Sequence, residues 1–206
     1  PFAPPLKPPP FTSTGFITFG SFNNTAKYNP ALLETWAAIL KRVPNSKLIL
    51  KWRTYADTGF KNETLSAFES FGLKPERIEL RGFSTHRQML DEYNDVDIAL
   101  DPFPFNGGYT SLEALWMGLP LITLAGSTPI SRQSASFLNC LGKTDWVAQT
   151  TEKYVAIAQE LAENPLALAP IRAYQRYQMM DSVLYDDARF ATNFEFVLEI
   201  TKNTPR

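Results

Sequence analysis

The stretch "VDIALDPFPFNGGYTSLEALWMGLP", residues 96–120, decides how this chain folds. An apolar run over 96–101 enters it and reads as a short buried strand. A helical stretch beginning at Thr110 leaves it. Between the two lie two prolines, Asn106 and the adjacent Gly107 and Gly108. A strand that runs through a small uncharged loop into a helix is the repeating unit of a parallel sheet.

The same unit recurs on both sides. Strands are expected at 16–22, 47–52, 77–82, 121–126 and 146–148. Helices are expected at 30–43, 63–73, 86–94 and 131–141, with three more near 151–163, 166–180 and 187–201. In the first helix Pro30 stands at the start, and Leu32, Leu33, Trp36, Ile39 and Leu40 follow helical spacing. About six alternations of short apolar strands with helices predict one α/β domain, a Rossmann-like doubly wound parallel sheet covered on both faces. No internal repeat is found. The opening "PFAPPLKPPP" holds six prolines in ten residues and reads as a semi-rigid linker over 1–14, leaving 15–206 as the domain. A proline-rich recognition segment is the other reading of that opening.

Composition excludes several function classes. With 206 residues the chain can bury a sizeable core, and a formal net charge of −1 gives no global field for nucleic acid or an anionic membrane. Any anion site must be local. One cysteine, Cys140, rules out an internal disulfide and suits a reducing cytoplasm. One Cys and one His leave no zinc site of Cys/His type. Neither a signal peptide nor an apolar run long enough to span a membrane is present. The chain begins at Pro1 rather than Met, as a piece of a longer protein would.

Ligands of doubly wound sheets sit beyond the carboxyl ends of the strands, where strand order reverses. The strand-to-helix loops therefore carry the candidate residues. In "FGSFNNTAKYNP" (19–30), Asn23 and Asn24 can bond a sugar or phosphate and Lys27 is a compact cation; read alone, the loop also fits an ordinary polar surface. In "RGFSTHRQML" (81–90), His86 could pack on a base or ribose, or simply cap its helix. Gly107 and Gly108 allow close backbone approach and positive φ, and the helix behind them offers unpaired N–H groups to a diphosphate. Thr110 to Glu113 also fits a capping box, which explains the Thr and the Glu but not the paired glycines. Glu113 could alternatively bond a ribose diol. In "AGSTPISRQSASFL" (125–138), Ser131 is a plausible N-cap, and Arg132 in the first turn is placed against the dipole, for an anion or an acidic neighbour.

These blocks resemble the C-terminal half of the catalytic region of the O-GlcNAc transferase/SPINDLY group, glycosyltransferase family 41. The resemblance rests on "FGSFNNTAKYNP", "ILKRVPNSKLIL", "HRQMLDEYNDVDIALDPFPFNGGYTSLEALWMGLPLITLAG", "SR" at 131–132 and "LGKTDWVA", in that order. It implies the C-terminal, nucleotide-sugar-binding domain of a GT-B enzyme that transfers a sugar to Ser or Thr hydroxyls of a protein, with inversion and without a metal or other cofactor. The acceptor side would lie in a missing N-terminal catalytic half, and tetratricopeptide repeats are usual upstream.

By the same resemblance, Lys27 neutralises the leaving diphosphate and Asn24 lies beside the donor phosphates. Tyr109 and Thr110 occupy the place of a Thr-Thr pair on the diphosphate, and Glu113 that of the carboxylate on the ribose. Met89 falls where the O-GlcNAc enzymes have a histidine against the uracil, and His86 at or near a lysine of those enzymes. "FNNTAK" is nearer SPINDLY-type sequences, so UDP-GlcNAc and GDP-fucose both stay open as donor. A stand-alone flavodoxin-like binding module fits the same alternation, although "FNNTAK" lacks the acidic cluster of a receiver domain.

Overall fold

A computed structural model of the chain describes residues 3–203. Six strands form one sheet: β1 (Ile17–Ser21), β2 (Ser46–Lys51), β3 (Ile78–Arg81), β4 (Ile98–Leu100), β5 (Leu121–Leu124) and β6 (Val147–Ala148). The helices are α1 (Phe11–Thr14), α2 (Pro30–Arg42), α3 (Thr58–Ser70), α4 (His86–Glu92) and α5 (Tyr109–Trp116). After them come α6 (Gln133–Cys140), α7 (Thr151–Glu163), α8 (Leu168–Met180) and α9 (Asp187–Asn203). Every expected strand and helix is present. The largest boundary difference is in α3, expected from 63. The Asp57 side chain accepts from Phe60 N at 2.7 Å and starts that helix one and a half turns earlier, glycine notwithstanding.

Strand order is β3-β2-β1-β4-β5-β6, all pairs parallel. The chain winds outward from β1 to β3, returns to lay β4 beside β1, and winds outward again. The order therefore reverses between β1 and β4, and their carboxyl ends open on one crevice. Every residue of β1 and β4 is buried, as expected of strands covered on both faces. Phe19, Leu48, Leu50 and Ile98 form the centre of the core, with Trp36 of α2 and Tyr154 of α7 among its largest enclosed side chains.

Two hydrogen-bonded clamps fix the crevice walls. Tyr154 donates its hydroxyl to the carbonyl of Asp101 at 2.9 Å, joining α7 to the end of β4. On α8, Gln175 Nε2 donates to the Leu115 and Leu119 carbonyls and Arg176 Nε to Trp116 O at 2.8 Å, so the far end of α5 is laced to α8. The first turn of α5 is then held at the crevice while its last turn is anchored behind.

The proline-rich opening lies along the domain rather than away from it. Pro4 and Pro9 are buried. Lys7 N donates to Asn94 Oδ1 at 3.0 Å and Phe11 N to Asp97 Oδ1 at 3.1 Å, while the other oxygen of Asp97 takes Thr18 N at 2.8 Å. Its missing N–H groups and fixed φ still explain why it forms no ladder. Its first two residues lie outside the described range. No described helix is long and apolar enough to cross a membrane.

Candidate functional site

Lys27 ends a 3₁₀ turn, Thr25–Lys27, in the loop after β1, and its ammonium faces the loop after β4. Nζ donates to Asn106 O at 2.9 Å and to Asn23 Oδ1 at 3.2 Å, and lies 4.7 Å from the centre of the Phe105 ring. All three partners are uncharged. An ammonium has three donors, so one remains for a ligand. Partial burial lowers the Lys27 pKa, and the Asp101 carboxylate opposes that shift.

Asn23 joins the two loops. Its Oδ1 also accepts from Thr110 Oγ1 at 2.8 Å, so one amide oxygen holds both the cation and the first-turn hydroxyl of α5. Asn24, singled out with it in sequence, is used locally: its side chain accepts from Ala26 N at 3.0 Å and caps the 3₁₀ turn.

The start of α5 differs from the expected capping box. The N-cap is Gly108, with no side-chain cap bond, so Thr110 is the second helical residue and Glu113 is out of phase with the box. Glu113 Oε1 instead lies 2.7 Å from His86 Nε2 of α4, and burial raises its pKa against that contact. A capping box does form one helix earlier, between Thr85 and Gln88, where His86 is the first helical residue. Gly107 and Gly108 are likewise not left-handed; the positive-φ glycines are Gly15, Gly72, Gly118 and Gly142. Gly107 is required for lack of space: a Cβ there would lie 2.2 Å from Ser111 Oγ.

Tyr109 is 86% exposed, so it leaves the helix terminus open. Ser111 N and Leu112 N donate to Gly108 O at 3.1 and 3.2 Å, so the N–H groups left over are those of Tyr109 and Thr110, at the positive end of the helix dipole. Ser131 does not cap α6. It closes a 3₁₀ capping box with Thr128, and Arg132, exposed, is the residue at the N-cap of α6. Gln133, which sequence did not flag, follows it and reaches the loop: a Cβ on Gly108 would lie 3.1 Å from its Oε1.

A second recess of ≈ 210 Å³ opens beyond β2 and β3, lined by Lys51, Trp52, Arg53, Phe83, Ser84 and Met89. Phe83 is 80% exposed, and Trp52 Nε1 and Ser84 Oγ are buried with no hydrogen-bond partner. Flat apolar walls with idle polar atoms suit a heteroaromatic ring. The sequence resemblance points to Met89 in this recess, but Trp52 stands out there only as the last residue of the strand expected at 47–52. Among the described residues no three His, Cys, Asp or Glu side chains gather as metal ligands.

Beneath the loop sits Asp101, fully enclosed. Its Oδ1 accepts from Gly107 N at 2.7 Å and Ser111 Oγ at 3.1 Å, and its Oδ2 from Thr123 Oγ1 at 2.6 Å. Burial pushes its pKa up from 3.8 to about 6 in spite of those donors. A carboxyl raised in the folded state contributes stability that is fully present below 3.8 and is lost as pH rises through about 6. On going from pH 7 to pH 5 the native chain should therefore gain about 1 kcal/mol relative to Asp101→Asn, read from paired urea melts. A parallel response of the two proteins would contradict a raised carboxyl.

Comparison with known proteins bears on the chain as a whole. The family model "Glycosyl transferase family 41" matches residues 13–194. The "Probable UDP-N-acetylglucosamine--peptide N-acetylglucosaminyltransferase SPINDLY" of Solanum lycopersicum is 38% identical over 198 residues, covering 96% of this chain and 21% of its own. The "UDP-N-acetylglucosamine--peptide N-acetylglucosaminyltransferase" of Caenorhabditis elegans is 30% identical over 183 residues, 88% of this chain and 16% of its own. Among solved structures, an O-GlcNAc transferase mutant from Thermobaculum terrenum superposes with a TM-score of 0.86 at 33% identity, over 96% of this chain and 38% of that one. The chain thus spans about a fifth of the length of the Solanum lycopersicum relative.

Proposed function

This chain belongs to glycosyltransferase family 41, and from that premise we propose that it is the donor-binding half of a protein O-glycosyltransferase. Its fold is the Rossmann-like C-terminal domain of a GT-B enzyme. The diphosphate of a nucleotide sugar would lie at the reversal of strand order, against the first turn of α5, with Lys27 across the crevice. The recess of Trp52, Phe83 and Met89 would take the base, and Glu113 the ribose once His86 releases it. Arg132, exposed at the N-cap of α6, would be a further cation for an anion.

The observation that carries this reading is Asn23 Oδ1 holding both Lys27 Nζ and Thr110 Oγ1. It joins a half-buried cation to a helix terminus, two features that each favour an anion, from loops far apart in sequence. No metal is required, because the ammonium and the helix N–H groups supply the positive charge. The acceptor hydroxyl of a Ser or Thr would be activated by residues in the part of its relatives' length that this chain does not span. Tetratricopeptide repeats and a cytoplasmic location belong to the same proposal.

Calorimetric titration of the full-length protein with UDP and with GDP tests it and identifies the base. One of the two should bind, with UDP pointing to an N-acetylglucosaminyl donor and GDP to a fucosyl donor. The isolated 206-residue segment should bind the same nucleotide more weakly and transfer no sugar. Binding of neither nucleotide by the full-length protein, or protein glycosylation by the segment alone, overturns the reading.

A further inference from the structure

Asp101 is 0% exposed and carries a carboxylate that joins no ion pair among the described residues. A lone buried charge is unfavourable unless its oxygens are occupied by donors. Here they are, and the donors are not scattered. Oδ1 grips the loop at Gly107 N and the first turn of α5 at Ser111 Oγ, residues that flank Tyr109 and Thr110 on either side. Oδ2 is tied to Thr123 of β5, and the backbone of Asp101 is fixed by its own N–H on Ile122 O at 2.9 Å and by the Tyr154 hydroxyl. Ser134 of α6 extends the grip, its Oγ lying 2.8 Å from Ser111 Oγ and 3.2 Å from Gly107 O.

We propose that Asp101 is a positioning residue for the diphosphate site: it fixes the Gly107–Thr110 turn so that the first amides of α5 face the crevice at the height of Lys27. The inference rests on the donor-binding reading above. An amide could replace the carboxylate geometrically, since Thr123 Oγ1 can reverse and accept. The charge adds two things an amide cannot. Charged acceptors hold N–H and O–H donors more tightly than neutral ones, and the negative charge beneath the loop keeps the desolvated Lys27 protonated. Its repulsion toward a diphosphate is limited because three donors already hold its oxygens, two on Oδ1 and one on Oδ2.

The test separates positioning from simple stability. Asp101→Asn and Ser111→Ala are made in the full-length protein, and each is titrated with UDP and GDP and with the parent nucleosides uridine and guanosine. Asp101→Asn should weaken the nucleoside diphosphate by roughly tenfold or more, while the nucleoside, which never meets the turn, changes by less than about twofold. Ser111→Ala, which removes one of the two grips of Oδ1, should show the same phosphate-selective loss at smaller size, and it answers the question if the Asn protein does not fold. Equal weakening of nucleoside and diphosphate would make Asp101 merely structural, and unchanged binding of both would remove the role altogether. Failure of the unaltered protein to bind either diphosphate would instead sink the donor-binding reading.

Discussion

Replacing Lys27 with alanine is expected to lower kcat of the full-length enzyme by a factor of about 10² to 10³ while donor affinity falls by less than about tenfold. When a sugar leaves a nucleoside diphosphate, negative charge grows on the β-phosphate only as the glycosidic bond breaks. A contact that strengthens with that charge stabilises the transition state more than the bound donor, so its loss appears in kcat. Lys27 fits this role because its ammonium is held in place beforehand. Asn23 Oδ1, Asn106 O and the Phe105 ring fix it without neutralising it. Removing one preorganised donor from such a site typically costs ~2.7–4 kcal/mol. Because burial lowers the Lys27 pKa in the free protein, the alkaline limb of kcat/KM should also lie below the ordinary lysine value of 10.5. Steady-state kinetics with a direct donor-binding measurement checks both. Equal losses in kcat and affinity would show that Lys27 binds donor and transition state alike, and the leaving-group role would fail.

Asn23 shows where sequence stops being informative. Strand alternation and apolar runs identified β1 and β4, and the rule that ligands gather at a reversal of strand order pointed to the loops that follow them. Which of two adjacent asparagines faces the crevice is a question of phase. At the end of a strand successive side chains point opposite ways, so Asn23 meets Lys27 while Asn24 turns back to cap its own 3₁₀ turn. The same one-residue phase defeats the capping box at Thr110. Starting α5 at Tyr109 moves Glu113 off the box and toward His86, and frees the Thr110 hydroxyl for Asn23. Asp101 was legible only as the end of a strand. Its role depends on partners 6, 10 and 22 residues onward, brought together by the fold. Trp52 is similar: an aromatic closing an apolar strand reads as core until the recess beside it is seen.

The paired glycines permit the other large prediction, because the structure treats them unequally. Neither adopts positive φ, so alanine meets no left-handed penalty at either position, and the space around the new Cβ is what separates them. A Cβ on Gly107 would meet Ser111 Oγ at 2.2 Å, Thr110 Oγ1 at 2.8 Å and Asp101 Oδ1 at 3.0 Å. None of the three can yield cheaply. Ser111 Oγ is tied to Asp101 and Ser134, Thr110 Oγ1 to Asn23, and the Asp101 carboxylate is enclosed. The turn itself must move, which separates Thr110 from Asn23 and lifts the first amides of α5 from their line toward Lys27. Gly107→Ala should therefore cost ~1–3 kcal/mol of stability by overpacking and weaken nucleoside diphosphate binding by roughly 10². On Gly108 the added methyl meets only Gln133 Oε1, at 3.1 Å, the far end of a flexible side chain that can swing aside. Gly108→Ala should keep binding within about threefold of the unaltered protein. Calorimetry and thermal melts on the two variants side by side decide the matter. Comparable, mild effects at both positions would mean that the turn adapts, and that the diphosphate does not depend on the close approach seen at Gly107.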